Sequence, residues 1–324
     1  MKALQAIIRH TGGPEVIEWV EADLPPPGPG EVVMANDAVG VNFIDTYHRT
    51  GLYPGPLPSG LGMEAAGRIL AVGPDVSLKE GDRVATFGPE RGAYSAARIV
   101  QAKNLLPVPD DVAFETAAAA LLKGCTAEFL AERCGEVKPG MNVLVHAAAG
   151  GVGLILVQWL KAIGARVIGT VSTEAKAELA REAGADDIIR YDHEPVAERI
   201  RDLTGGKGCK VVFDGVGADT WEASLDSAAR RGLIVSYGNA SGPVTGVNLG
   251  VLAQKGSLHV TRPTLFDYYT SEEERRAGAD RLWAMIRGGK VQVTIGSRYP
   301  LRQAADAHRA LEARQTTGSL LLLP

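Results

Sequence analysis

The chain has 324 residues, 45% of them hydrophobic, and a formal net charge of −4. That length exceeds one typical domain, and the mild acidity offers no positive field to a nucleic acid or an anionic membrane. Three scattered cysteines, Cys125, Cys134 and Cys209, argue for a reducing compartment and against a disulfide framework or a paired-cysteine zinc site.

The opening run MKALQAIIRH is too short in apolar residues for a secretory signal. The most apolar window, 143–160, contains His146, a glycine cluster and Gln158, so a strand joined to a helix accounts for it better than a membrane span. A soluble, cytoplasmic protein is expected.

Residues 1–125 read as β-rich, with short apolar or alternating runs at 3–9, 31–41, 67–72, 82–85 and 93–100. The turns between them are dense in Gly and Pro, as in PPPGPG at 25–30, which suggests a partly closed barrel. A helical bridge rich in Ala and Leu covers 114–131. Strands and helices then alternate: strands at 142–146, 166–171, 187–191, 210–214, 233–237 and 259–261, with helices at 154–162, 173–183, 195–203 and 221–230. Six strands with helical crossovers predict an α/β Rossmann domain over 126–260. Helices at 272–287 and 304–311 and a strand at 319–323 follow. If that strand returns to the first sheet, the Rossmann domain is an insertion within a partly open β-barrel domain made of 1–125 and 261–324.

The organising stretch is MNVLVHAAAGGVGLILVQWLK, 141–161. A β-branched run passes through Ala147-x-x-Gly150-x-x-Gly153 into a helix, the context in which a glycine turn acquires meaning. Small residues there let backbone N–H groups and the positive helix end approach a pyrophosphate. A glycine turn without ligand is the bland alternative; the βαβ units that follow favour a dinucleotide.

An NAD site places an acid at the tip of the second strand for the ribose 2′-OH. Here that strand ends Gly169-Thr170-Val171-Ser172, with Lys176 in the next helix and Tyr191 at the end of the third strand. A hydroxyl, an ammonium and a phenol suit a 2′-phosphate, so NADP is expected over NAD. Glu174 is a mild objection unless it points to solvent, and Lys176 has the plain reading of a surface lysine.

The expected split arrangement resembles that of the medium-chain dehydrogenase/reductase superfamily, whose alcohol dehydrogenases place zinc ligands in G-x-C-x-x-D and G-H-E segments. This chain has Gly40-Val41-Asn42-Phe43-Ile44-Asp45 and Gly62-Met63-Glu64. An amide and a thioether are poor zinc ligands, so no metal is expected.

The run Gly140-Met141-x-x-Leu144-x-x-x-Ala148-Ala149-Gly150-Gly151-Val152-Gly153, with Gln158 and Lys161, resembles the signature of the quinone oxidoreductase/ζ-crystallin family. So do GVNFIDTYHRTGLYP at 40–54, LPSGLGMEAAG at 57–67, SYGNASGPVTGVNLG at 236–250 and TTGSLLLLP at 316–324. The resemblance spans nearly the whole chain. It implies a GroES-like first domain and an NADPH-dependent homodimer that reduces small quinones without metal. It further implies cofactor contacts from Asn42, Thr126, Gly150, Gly151, Val152, Ser172, Lys176, Tyr191, Tyr237, Gly238, Asn239, Arg262 and Gly318. Ser172 and Tyr237 depart from the family's usual Gly and Phe.

Quinones accept electrons without a Lewis acid, so positioning is the main demand on the protein. Tyr47 and Tyr53, in a loop after the Asn42 segment, are candidates for an aromatic slot; packing of a domain interface is the competing reading. Asp45 is expected to orient that loop, His146 to make a local hydrogen bond, and His48 and Cys125 to stay out of the chemistry. Reduction of an activated C=C bond is the alternative reaction. An AU-rich RNA-binding or crystallin-type role is a third reading, weakened by the acidic balance. The strand at 259–261 is the expected edge for a two-fold dimer.

Overall fold

The computed structural model describes residues 1–324, in two units: Met1–Leu122 with Thr270–Trp283 and Val293–Pro324, and Lys123–Tyr269 with Ala284–Gln292. In the second, six strands form one parallel sheet in the order Asp187–Arg190, Arg166–Val171, Asn142–Val145, Cys209–Asp214, Ala228–Ser236, His259–Thr261. This is the Rossmann order, reversing beside the first strand of the unit. Runs such as Arg166–Val171 are buried on both faces, as a parallel sheet covered by helices requires. One face packs Leu144, Ile168, Val212 and Ile234 against Val196, Ile200 and Leu225.

The helix Gly151–Ile163 starts at Gly150 and ends at Gly164, whose left-handed conformation stops it. Gly153 makes its approach to the sheet possible: a Cβ there would lie 2.3 Å from the Ala147 carbonyl oxygen. On the opposite face His146 is buried and neutral, its pKa lowered by burial against the opposing pull of Asp214. Ser224 donates to Asp214 at 2.6 Å, so its oxygen accepts from His146 Nε2 at 3.1 Å, and Nδ1 accepts from Thr170 at 3.0 Å. The partners lie 24 and 78 residues away, so the hydrogen bonding expected to be local instead ties two strands to the helix Trp221–Ser227.

In the first unit a seven-stranded sheet runs Ile295–Pro300, Ser319–Leu323, Glu31–Val41, Glu64–Val72, Arg83–Phe87, Leu106–Pro107, with Ala97–Gln101 also on Glu31–Val41. A three-stranded sheet, Glu18–Asp23, Lys2–Ile8, Ser59–Gly60, shares its core. Ile8, Met34, Val39, Leu61, Ile69, Leu320 and Leu322 pack together there, giving the partly open barrel. The last strand does return: Leu320–Leu322 pair antiparallel with Val39–Val41.

Several elements differ from expectation. The helix expected over 221–230 stops at Ser227, and the strand begins at Ala228, bulged at Arg231, which has φ +54°. The bridge helix Phe114–Glu128 loosens into a π turn, Phe129–Cys134. The strands Glu18–Asp23 and Ile295–Pro300 were not anticipated; both are half-buried and polar enough to hide the alternation. No helix is long and apolar enough to cross a membrane.

The substitution Gly153→Val should cost about 1–3 kcal/mol by overpacking the helix–strand approach, measured as a lower urea midpoint.

Candidate active site

The residues expected to hold a dinucleotide in the second unit gather at the C-terminal ends of its strands. Gly150 caps the helix Gly151–Ile163 with no side chain, so the N–H groups of Gly151, Val152 and Gly153 carry the unspent donors of its first turn. Ser172 follows the strand Arg166–Val171, and Lys176 lies in the first turn of Glu174–Glu182, its Nζ 3.4 Å from Ser172 Oγ. Thr173 caps that helix by accepting from Lys176 N–H. Tyr191 N–H donates to the Val171 carbonyl at 3.2 Å, which seats the half-exposed tyrosine beside Ser172. The objection raised by Glu174 is met differently from solvent exposure alone: Arg181 at 2.7 Å and Arg190 at 3.5 Å neutralise it. Hydrogen bonding from Arg181 is the main cause of its lowered pKa.

On the other half of the sheet, Tyr237, Gly238 and Asn239 follow the strand Ala228–Ser236. Arg262 follows His259–Thr261 and donates to the Ser236 carbonyl at 2.9 Å. With the Asn239 amide oriented to suit both neighbours, its nitrogen donates to the Gly238 carbonyl (3.0 Å) and its oxygen accepts from Arg262 (3.1 Å). A Cβ on Gly238 would stand 2.2 Å from the Gly215 carbonyl oxygen. Thr126 is buried in the helix Phe114–Glu128.

In the first unit the expectation of a loop after Asn42 is corrected. Phe43–Thr50 is a helix, capped at Asn42 and ended by Gly51 in the left-handed region. Asp45 accepts from the Asn42 backbone N–H at 2.9 Å, the carboxylate half of a capping box. Tyr47 is therefore a buried helical residue, and Tyr53 lies in the turn beyond, edge-on to it with centroids 5.1 Å apart. Asn42 Nδ2 donates to Glu64 at 2.9 Å, and Glu64 also accepts from Leu122 N–H at 2.6 Å. Met63 is buried beside it in sequence. Gly318, with φ +57°, leads into the strand Ser319–Leu323. No three His, Cys, Asp or Glu side chains converge on one metal position.

The sequence reading missed a buried polar cluster next to this helix. Tyr94 donates to Asp45 at 3.0 Å and meets His308 Nε2 at 2.8 Å; Arg49 meets His308 Nδ1 at 3.0 Å and pairs with Glu312. Burial, then Arg49, push His308 down to about 3.

A barrel split around a Rossmann sheet defines the medium-chain dehydrogenase/reductase class, and residues 28–110 match the alcohol dehydrogenase GroES-like domain while 151–282 match the zinc-binding dehydrogenase family. The chain belongs to the quinone oxidoreductase family within that class. It is 54% identical to the quinone oxidoreductase of Pseudomonas aeruginosa over 97% of each chain. It superposes on Escherichia coli quinone oxidoreductase complexed with NADPH with a TM-score of 0.97 and 50% identity, covering 99% of this chain and all of that one. A 2-haloacrylate reductase from Burkholderia is 44% identical over 99% of each chain. Asn42 and Met63 stand where the resemblance to zinc-dependent dehydrogenases would place ligands.

The unfolded chain protonates this imidazole near 6.5, the folded one only at about 3. Acid therefore favours unfolding, at up to about 1.4 kcal/mol per pH unit. The melting temperature should fall as pH drops from 6.5 toward 3, with a shallower fall in His308→Gln.

Proposed function

We propose that the chain is an NADPH-dependent reductase of small quinones that works without a metal ion. Its NADP-binding domain is residues 126–260, lying within the unit Lys123–Tyr269 with Ala284–Gln292, and its catalytic domain is 1–125 with 261–324, of which 261–269 and 284–292 pack with the former. The observation that carries this reading is the corner where an uncapped helix start adjoins a strand tip bearing Ser172 and Lys176 in place of an acid. The glycines fit the group: Gly150 leaves the helix start without a side chain, while Gly153 and Gly238, where a Cβ would meet backbone within 2.3 Å, hold the two turns close to their neighbours.

In this reading the free amides of Gly151 and Val152, beside the side-chain-free Gly150, hold the pyrophosphate. Ser172, Lys176 and Tyr191 hold the 2′-phosphate by charge-assisted hydrogen bonds. Tyr237, Gly238, Asn239 and Arg262, with Thr126, Asn42 and Gly318, complete the cofactor contacts. When bound, the dinucleotide supplies a hydride from its reduced ring. Asn42, Tyr47 and Tyr53 place the acceptor, and a tyrosine hydroxyl donates a hydrogen bond to the developing quinol oxygen. An amide and a thioether at 42 and 63 suit an acceptor that needs no Lewis acid. Reduction of an activated C=C bond is the second reading, favoured by the likeness to the haloacrylate reductase.

We also propose a cytoplasmic homodimer joined through the strand His259–Thr261, whose Val260 is exposed at the free edge of the sheet.

Steady-state assays with NADPH should show turnover of 1,4-benzoquinone exceeding that of 2-chloroacrylate; the reverse order selects the second reading. Lys176→Ala should raise KM for NADPH about tenfold, about 1.4 kcal/mol, and leave KM for NADH near its parent value. Val260→Lys should halve the mass measured by light scattering if the edge strand pairs as proposed.

A further inference from the structure

We infer that Tyr94 and His308 are positioning residues for the reaction, holding Asn42 through Asp45 along a hydrogen-bond chain with a single permitted direction. This rests on the reading that Asn42 serves the reacting site.

The direction follows from donor chemistry. A guanidinium has donors and no acceptor, so His308 Nδ1, 3.0 Å from Arg49 Nη1, must accept. The imidazole is neutral, and its one proton therefore sits on Nε2, which donates to the Tyr94 oxygen at 2.8 Å. The Tyr94 hydroxyl is left to donate to Asp45 Oδ2 at 3.0 Å, the same oxygen that accepts from Asn42 N–H at 2.9 Å. The far end is anchored too: Arg49 makes a two-pronged pair with Glu312 and donates to the Gly12 carbonyl at 3.0 Å.

Every link is dry. Tyr94, His308 and Asp45 are fully buried, and Arg49 is 1% exposed. Burying such a set costs more desolvation than an apolar core of equal volume, so its return lies in fixing one geometry. The geometry it fixes is that of Asn42, gripped at its backbone by Asp45 and at its side chain by Glu64. The cluster joins the helix Phe43–Thr50 to the helix Ala304–Glu312, so the last helix of the chain sets the placement of the first.

The test is a double-mutant cycle on kcat for NADPH oxidation by 1,4-benzoquinone, using Tyr94→Phe, Asn42→Ala and both together. Tyr94→Phe keeps the ring and removes the hydroxyl that donates to Asp45 and accepts from His308. Each single change is expected to lower kcat about tenfold, with KM for NADPH after Tyr94→Phe within about twofold of the parent. The double variant is expected to be no slower than Asn42→Ala alone. His308→Gln offers one acceptor and one donor, as the neutral imidazole does, and should recover most of the kcat that His308→Leu loses.

Parent-like kcat in Tyr94→Phe, whatever its melting temperature, overturns the inference, as does an additive, about hundredfold, loss in the double variant. Equal losses in His308→Gln and His308→Leu overturn it as well and do not depend on Tyr94→Phe folding. A silent Asn42→Ala overturns the site reading beneath it. If the parent reduces 2-chloroacrylate and not the quinone, the proposed acceptor fails, and the same cycle run on that acceptor still decides the inference.

Discussion

The close contact between the helix Gly151–Ile163 and the turn after Asn142–Val145 is the constraint on which the cofactor end of the second unit depends. Gly153 lies so near the Ala147 carbonyl that no Cβ fits between them. That proximity draws the helix start to the ends of the parallel strands, where its free amides face outward. The neighbouring strand then delivers Ser172 and Lys176 to the same edge, and the order reversal beside Asn142–Val145 opens the crevice into which Tyr237 and Asn239 follow. A helix end, a cation and a bare glycine rim are each ordinary; their convergence at one sheet edge makes the chemistry specific.

Both units bury a polar frame beneath this architecture. In the second, His146 links Thr170 to Ser224 and Asp214; in the first, His308 links Arg49 to Tyr94 and Asp45. In each case a neutral imidazole uses one nitrogen to accept and the other to donate, and burial is the main force keeping it uncharged. Such frames contribute little net stability but penalise any rearrangement that leaves a member unpaired.

Much of this fold is legible in the residues. Apolar runs bounded by Gly or Pro located Arg166–Val171 and Ser319–Leu323 because burial on both faces leaves a nearly unbroken hydrophobic trace. The helix Phe43–Thr50 escaped because what it buries is polar: Asp45, Thr46 and Arg49 interrupt the period that apolar residues would mark. Its one local signal was Asn42 followed three residues later by an acid, a helix start by capping logic. That Ser172 and Lys176 come together could be read from an absent acid at a strand tip, which is itself a pattern. Tyr94 and His308 were not, since 214 residues separate them and no spacing rule reaches so far.

The strand Ser319–Leu323 lies inside the seven-stranded sheet, between Ile295–Pro300 and Glu31–Val41. On the ribosome, Glu31–Val41 must therefore wait with an open sheet edge until Ser319–Leu323, far later in the chain, has been made. The Rossmann strands, by contrast, find all their neighbours within one continuous stretch and can assemble while translation is still under way. Vectorial synthesis thus separates two folding events in time, and the earlier-made half is the one exposed to mispairing and in need of protection.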